Sequence, residues 1–331
     1  ILFSLLIAFR LFNEVWSNTI VIGSYFGEVG SKPYYLAILV FTLLTLLYSL
    51  KGGLSSSMLT DAIQMVLFAV LLIVVLGVIL PDSDGISSYL GSGDWSLSGG
   101  VDLLLVALIQ SISYPFHDPV MTDRGFITDP QTMKKAFYWA VPIGFICIVL
   151  FSFIGVYAAQ KGMEGEAAVE VAQSLGIIIM LVINLIMITS ASSTLDSAFA
   201  SFSKLMAVDL KIGNASVSFG RVIMVIIAVL GTIPVFFNPT VLSATTISGT
   251  MVIGLAPVFV FWRWKVHRLA FVLTVLTGTA FGIWFATGAY PKEWVFFPGS
   301  YGDLLSVNLL GTAACFLVFI FMKRKGNALV G

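Results

Sequence analysis

Between Ser190 and Asp209 the chain reads SASSTLDSAFASFSKLMAVD. Ser190, Ser193, Thr194, Ser197 and Ser201 recur at three- and four-residue steps, so a helix sets their hydroxyls on one face. Asp196 lies three residues after Ser193 and directly beside Ser197. A carboxylate inside an apolar helix of membrane length is costly and needs a partner. Hard cations prefer oxygen ligands, and hydroxyls with one carboxylate suit a small hard cation such as sodium. A Ser/Ala stripe also serves close packing between membrane helices. The spacing alone leaves packing and ion binding side by side.

A second acid sits at comparable depth. Counting 1.5 Å per residue, Asp61 lies about 10 Å into the helix that starts after Lys51-Gly52-Gly53-Leu54, and Asp196 about 12 Å in from Lys204. Asp also favours the first turn of a helix, which is the other reading of Asp61. Neither helix carries a Lys or Arg at that depth. A lone charged carboxylate is disfavoured in a low-dielectric interior. The two acids are therefore expected to face each other within roughly 10 Å, bridged by an ion or water, with Ser193 and Ser197 nearby and either a cation or a proton balancing the charge.

Two further groups of polar residues fall inside apolar runs. Arg10, Asn13 and Glu14 lie in the first helix, where Arg10 and Glu14 are four apart and can pair. The alternative is that Arg10 acts as counter-ion for a solute carboxylate. Further on come Ser113-Tyr114-Pro115-Phe116-His117-Asp118-Pro119 and Thr122-Asp123-Arg124. Two prolines four apart interrupt the helical hydrogen-bond ladder. In transporters, helices broken in this way line the solute site; an ordinary helix end at the interface is the other reading. Tyr114, His117 and Asp118 are candidate solute contacts on this stretch, as is Thr246 in the later run Ser243 to Gly249. His117 has no second histidine close in sequence, so no metal other than sodium is expected.

The rest of the chain must position these groups. Of 331 residues, 58% are hydrophobic and 10% charged, against roughly 25% charged in soluble domains. The chain is expected to be an all-α, polytopic membrane bundle. Its zero net charge implies no nucleic-acid partner. Cys147 and Cys315 sit in apolar runs and form neither a disulfide framework nor a metal spacing. At about 20 apolar residues per span, ten spans are expected, near 1–27, 34–50, 56–80, 101–117, 136–159, 172–207, 218–236, 240–262, 266–288 and 304–322. Alternating them from a cytoplasmic Lys51 puts thirteen of the 17 Lys and Arg inside. Lys32, Lys161 and Lys292 fall outside and Arg10 falls within a helix, a strong positive-inside bias.

Two stretches resemble the sodium:solute symporter family. Ser193-Thr194-Leu195-Asp196-Ser197, with Ser203 and Asp209 following, is similar to its S-T-x-D-S signature, and Tyr48…Gly52-Gly53-Leu54…Thr60-Asp61-Ala62-Ile63-Gln64 is similar to its Y-x-x-x-G-G-L…T-D-x-I-Q segment. The resemblance implies a LeuT-like fold of two inverted five-helix repeats, with residues 1–80 as helices three to five and 101–262 as helices six to ten. Residues 1–331 would then be one transporter domain lacking helices one and two. It implies a multi-pass protein of the plasma or inner membrane, with sodium, a small solute and the lipid bilayer as partners. Ser193 and Thr194 would bind sodium through hydroxyls and Ser190 through its carbonyl. Asp61, Asp196 and Ser197 would hold a second sodium. The implied function is symport of a small polar solute, such as the amino acid proline or, alternatively, urea; a transporter-like sensor is the other possibility, and no catalytic constellation points to an enzyme. Asp118-Pro119 stands where members often carry Asn-Gln or Asp-Gln, which weighs against a sugar-type solute.

The charge asymmetry gives a direct test of orientation. With Trp95→Cys and Lys134→Cys introduced singly, a membrane-impermeant thiol reagent applied outside should label position 95 and miss position 134. The opposite pattern would invert the assignment.

Overall fold

The structure, a computed structural model, describes residues 1–83, 85–93, 95–237 and 248–323. Among them no β-strand is formed, and the chain is built of helices. In order these are α1 (Leu2–Ser24), α2 (Lys32–Ile79), α3 (Ile86–Gly91), α4 (Val101–Ser111), α5 (Tyr114–His117), α6 (Pro119–Ile127), α7 (Pro130–Gln160), α8 (Ala167–Ser174), α9 (Ile177–Lys204) and α10 (Val217–Thr232). There follow α11 (Ser248–Val260), α12 (Arg268–Ala286) and α13 (Gly302–Phe321). Eight helical segments among the described residues are long and apolar enough to cross a membrane, and Val101–Ser111 and Ser248–Val260 are shorter apolar helices. This is a multi-pass integral membrane protein.

The chain divides into two compact units. One comprises Ile1–Arg10, Asp94–Thr122 and Leu242–Gly331, the other Leu11–Gly93 and Asp123–Val241. In the first unit Val106 of α4 packs with Tyr290 and with Leu304, Leu305 and Val307 of α13. Close approach of α11 and α12 is made possible by Gly254 and Gly278, where an added side chain would strike the facing backbone. In the second unit, Leu71, Leu72, Val75 and Ile79 from the end of α2 pack with Phe153, Ile154 and Tyr157 of α7 and with Ile183 and Ile186 of α9.

Two expected helices differ from the sequence reading. Spans 34–50 and 56–80 are joined without a loop into α2, interrupted only at Gly53 (φ 55°, ψ −143°). In a straight helix Tyr48 and Thr60 would stand about 18 Å apart, yet both hydroxyls lie 2.7 Å from the same Asp196 carboxylate oxygen. The two halves of α2 therefore fold back on each other at Gly53. Only glycine tolerates this backbone conformation cheaply, which is why a single residue suffices where a loop was expected.

The expected span 101–117 is also not one helix. It stops at Ser111, makes the short turn of α5, and restarts as α6 with Pro119 in its first turn. Proline lacks the N–H that a helix interior needs but fits a helix start. Asp118 takes an extended conformation, and its carboxylate accepts the backbone N–H of Val120 at 2.8 Å.

The reversal at Gly53 makes a checkable demand. An added Cβ there meets nothing within 4 Å, so Gly53→Ala should cost backbone strain alone, roughly 1–3 kcal/mol, lowering the apparent thermal midpoint in detergent. Gly77→Ala, also in open space but at a helical position, should leave the midpoint unchanged or raise it.

Candidate functional site

Two polar stripes meet in the Leu11–Gly93 and Asp123–Val241 unit. Ser57, Thr60, Asp61 and Gln64 of α2 are spaced i, i+3, i+4 and i+7, the same-face pattern of a helix. The stripe on α9 is Ser190, Ser193, Thr194 and Ser197. Gln64 Nε2 donates to Ser190 Oγ at 3.0 Å, and the hydroxyls of Ser57 and Ser197 lie 2.6 Å apart. Asp196, buried to 1% exposure, accepts through Oδ2 from the Tyr48 and Thr60 hydroxyls, each at 2.7 Å. Ser197 Oγ lies 3.3 Å from Asp196 Oδ1 and 3.0 Å from the Ser193 carbonyl.

Arg124 joins this cluster from α6. Its Nη2 donates to the Asp61 carboxylate in a short ion pair and to Ser197 Oγ at 2.8 Å. The chain Asp61–Arg124–Ser197–Asp196 is thus three contacts long, and the two carboxylates belong to one cluster spanning no more than roughly three hydrogen-bond lengths. Arg124 matches one of the two carboxylates, which leaves a cation or a proton to balance the other. Neither of the two helices supplies this guanidinium; it comes from a third, 63 positions beyond Asp61. Lys204, meanwhile, pairs with Asp123 at 3.0 Å and Asp209 at 2.8 Å.

The hydroxyl stripe itself is intact. Ser193 Oγ and Thr194 Oγ1 each donate to the Ser190 carbonyl at 3.3 Å, which brings three candidate sodium ligands onto one turn. Each hydroxyl keeps its lone pairs while donating its proton, so the arrangement leaves oxygens able to accept a cation. Beside it, a cavity of about 260 Å³ is lined by Tyr48, Thr60, Gln64, Thr189 and Ser192 among apolar neighbours.

The candidate solute residues fall in both units. In the first, Arg10 is 9% exposed; its guanidinium donates to Ser248 Oγ at 2.9 Å and to the Tyr114 hydroxyl at 3.1 Å, with the Tyr114 ring 5.1 Å away. Tyr114 also meets His117 edge-on at 5.7 Å between ring centroids. His117 is buried, and its Nε2 has no hydrogen-bond partner among the described residues. Asp118 is buried too, occupied as the cap described above. Asn13 belongs to the second unit, where its Oδ1 accepts from Trp16 Nε1 at 2.6 Å. Thr246 lies outside the described residues. Tyr48, Ser57, Thr60, Gln64 and Arg124 were not among the predicted site residues, although the spacing of the four polar residues on α2 is present in the sequence.

Against known proteins, no family model and no curated protein sequence matches the chain. Among solved structures it is similar to a Na+-coupled sialic acid symporter, in a substrate-bound outward-open state described as revealing a novel Na+ site. The TM-score is 0.65 at 19% identity, covering 96% of this chain and 74% of that one. The likeness shows a shared fold: the chain has the LeuT-like, all-helical membrane architecture expected from its sequence.

The Arg124–Asp61 pair lends itself to a double-mutant cycle. Arg124→Gln or Asp61→Asn alone should destabilise the detergent-solubilised protein by roughly 1–3 kcal/mol, because each strands a partly buried charged partner. The double variant should lose less than the sum of the two. Additive losses would mean the pair contributes no coupling.

Proposed function

We propose that the protein is a sodium-coupled symporter of a small polar organic solute, working by alternating access. The observation that carries this reading is the α9 turn that gathers the hydroxyls of Ser193 and Thr194 around the Ser190 carbonyl. The fold shared with a Na+-coupled symporter supports it. Sodium would bind at Ser190, Ser193 and Thr194, and entry toward a negative interior is worth about 2.3 kcal/mol per 100 mV. A sodium that favours one of two conformations strengthens solute binding, and the solute strengthens sodium binding by the same factor.

A second sodium at Asp61, Asp196 and Ser197 belongs to the same proposal. Arg124 already holds Asp61 and Ser197, but its single charge matches only one of the two carboxylates, so that ion would enter beside a tethered guanidinium and balance the second. On the solute side, Arg10 with Tyr114 offers a donor fork suited to a carboxylate. An amino acid such as proline meets this requirement, and the solute named for the structural relative is a carboxylic acid as well. Asn13, His117, Asp118 and Thr246 remain proposed solute contacts.

Uptake of radiolabelled solutes by the intact protein in proteoliposomes tests the reading, with a panel of carboxylate-bearing solutes and urea, in sodium and in choline medium. At least one carboxylate-bearing solute should accumulate only with sodium. Ser193→Ala and Thr194→Ala should each raise the sodium concentration for half-maximal uptake, by the roughly 1–3 kcal/mol of a lost ligand, or about 5- to 150-fold. Sodium dependence unchanged in both variants would reduce the stripe to helix packing.

A further inference from the structure

Where α2 reverses, an open cavity of about 420 Å³ lies between the Gly53 bend, the end of α9 and the start of α10. Its lining carries Lys51, Lys204 and Arg221 and no carboxylate. Lys204 is already matched by Asp123 and Asp209, which line an adjoining cavity of about 390 Å³ instead. Within the lining, Lys51 and Arg221 therefore face no carboxylate, while the Lys204–Asp123–Asp209 group beyond it carries one excess negative charge. Among the described residues Lys51 makes no ion pair, and Arg221 is fixed by Nε donating to the Leu50 carbonyl at 2.9 Å. That bond points the guanidinium across the bend and leaves both terminal nitrogens with their donors. The first turn of α10 adds one backbone donor: Ser216, Val217 and Gly220 line the cavity, but the Ser216 N–H donates to the Asn214 carbonyl and the Gly220 N–H to the Ser216 carbonyl, which leaves that of Val217 at the positive end of the helix dipole. Gly52 and Gly53 contribute no side chain, so their backbone borders the cavity directly. Apolar residues, Leu54, Val208, Val217 and Met224, complete the wall, and Val208 and Val217 are well exposed.

We propose that this cavity is a binding site for a phosphate group, carried by an anionic phospholipid headgroup or by a soluble phosphate compound. The chemistry fits a tetrahedral oxyanion: Arg221 supplies a fixed fork, Lys51 a mobile point charge and the start of α10 the Val217 N–H and its dipole. The cavity lies at the end of the helices that the distribution of Lys and Arg assigns to the cytoplasmic side, where anionic lipid is enriched. Its apolar wall would take the glycerol and first methylenes of a lipid. Because the site spans the α2 bend, the α9 end and the α10 start, a bound phosphate ties together three elements of the unit that carries the hydroxyl stripe.

The test uses the intact protein in detergent and two probes. Native mass spectrometry compares retention of phosphatidylglycerol and phosphatidylcholine added at equal concentration. Thermal unfolding is followed with and without inorganic phosphate at constant ionic strength. The variants are Lys51→Gln, which removes a side chain that makes no ion pair among the described residues, the double variant with Arg221→Gln, and Lys51→Arg, which keeps the charge. Size exclusion confirms that each is monodisperse. Preferential retention of phosphatidylglycerol, weakened about fivefold per charge removed and preserved in Lys51→Arg, supports the site with a lipid occupant. Protection by inorganic phosphate alone, lost in Lys51→Gln, supports it with a soluble occupant. Equal retention of both lipids together with no phosphate-dependent shift in the wild type, or effects identical in the wild type and Lys51→Gln, overturns the proposal.

Discussion

Carboxylates taken out of water must be hydrogen-bonded and charge-matched, and the Asp61–Asp196 cluster draws on three helices to approach that: Arg124 matches one of the two charges, and the Tyr48 and Thr60 hydroxyls solvate the other carboxylate. Satisfying Asp196 fixes more than a side chain. Its Oδ2 can take both Tyr48 and Thr60 only if α2 doubles back, so the fold of the hairpin and the solvation of a buried acid are one problem with one solution. Breaking such a cluster strands a charge, whereas replacing it wholesale costs little. A cluster of this kind consequently specifies which helices meet more than it adds to stability.

The same geometry separates two kinds of oxygen on α9. Asp196 and Ser197 are committed to the protein: Tyr48, Thr60, Ser57 and Arg124 occupy them. Thr194 is committed only through its proton, to the carbonyl of Ser190, while the Ser193 hydroxyl stands between that carbonyl and the Asp61 carboxylate. One turn of helix thus carries an anchored end and an adaptable end. A transporter that must bind and release an ion while keeping its helices in register has use for both, and the proposed assignment of the coupling sodium to the adaptable end follows from that division.

Helical periodicity in the sequence made the membrane architecture legible, because apolar runs of spanning length and the bias in Lys and Arg are local properties. It also made both polar stripes readable, since three- and four-residue steps define a face regardless of what the face meets. What the sequence could not show was the partner. Arg124 lies 63 residues from Asp61 and 73 from Ser197, and no local pattern announces that distance in space. The joining of two expected spans at Gly53 was hidden for another reason: Gly52-Gly53 reads equally as a loop, and only the positive φ of one glycine removes the need for one. The break at Ser113 to Asp118, by contrast, was written in two prolines.

The long separation of these partners bears on how the protein is made. Chains emerge N-terminus first, so the α2 hairpin enters the membrane before Arg124 exists and well before Asp196, which follows Thr60 by 136 residues. During that interval Asp61 has no counter-charge, and an aspartate within an inserting segment is disfavoured, by up to about 2.5–3.5 kcal/mol at the centre and less toward the end where Asp61 lies. Ser56–Ile79 is also the most apolar of the eight described spans, with a mean hydropathy of 3.0. Its excess of Leu, Ile and Val carries an unpartnered acid into the bilayer and holds it there until the rest of the chain arrives, so the composition of that helix reflects the order of its synthesis as well as its place in the finished molecule.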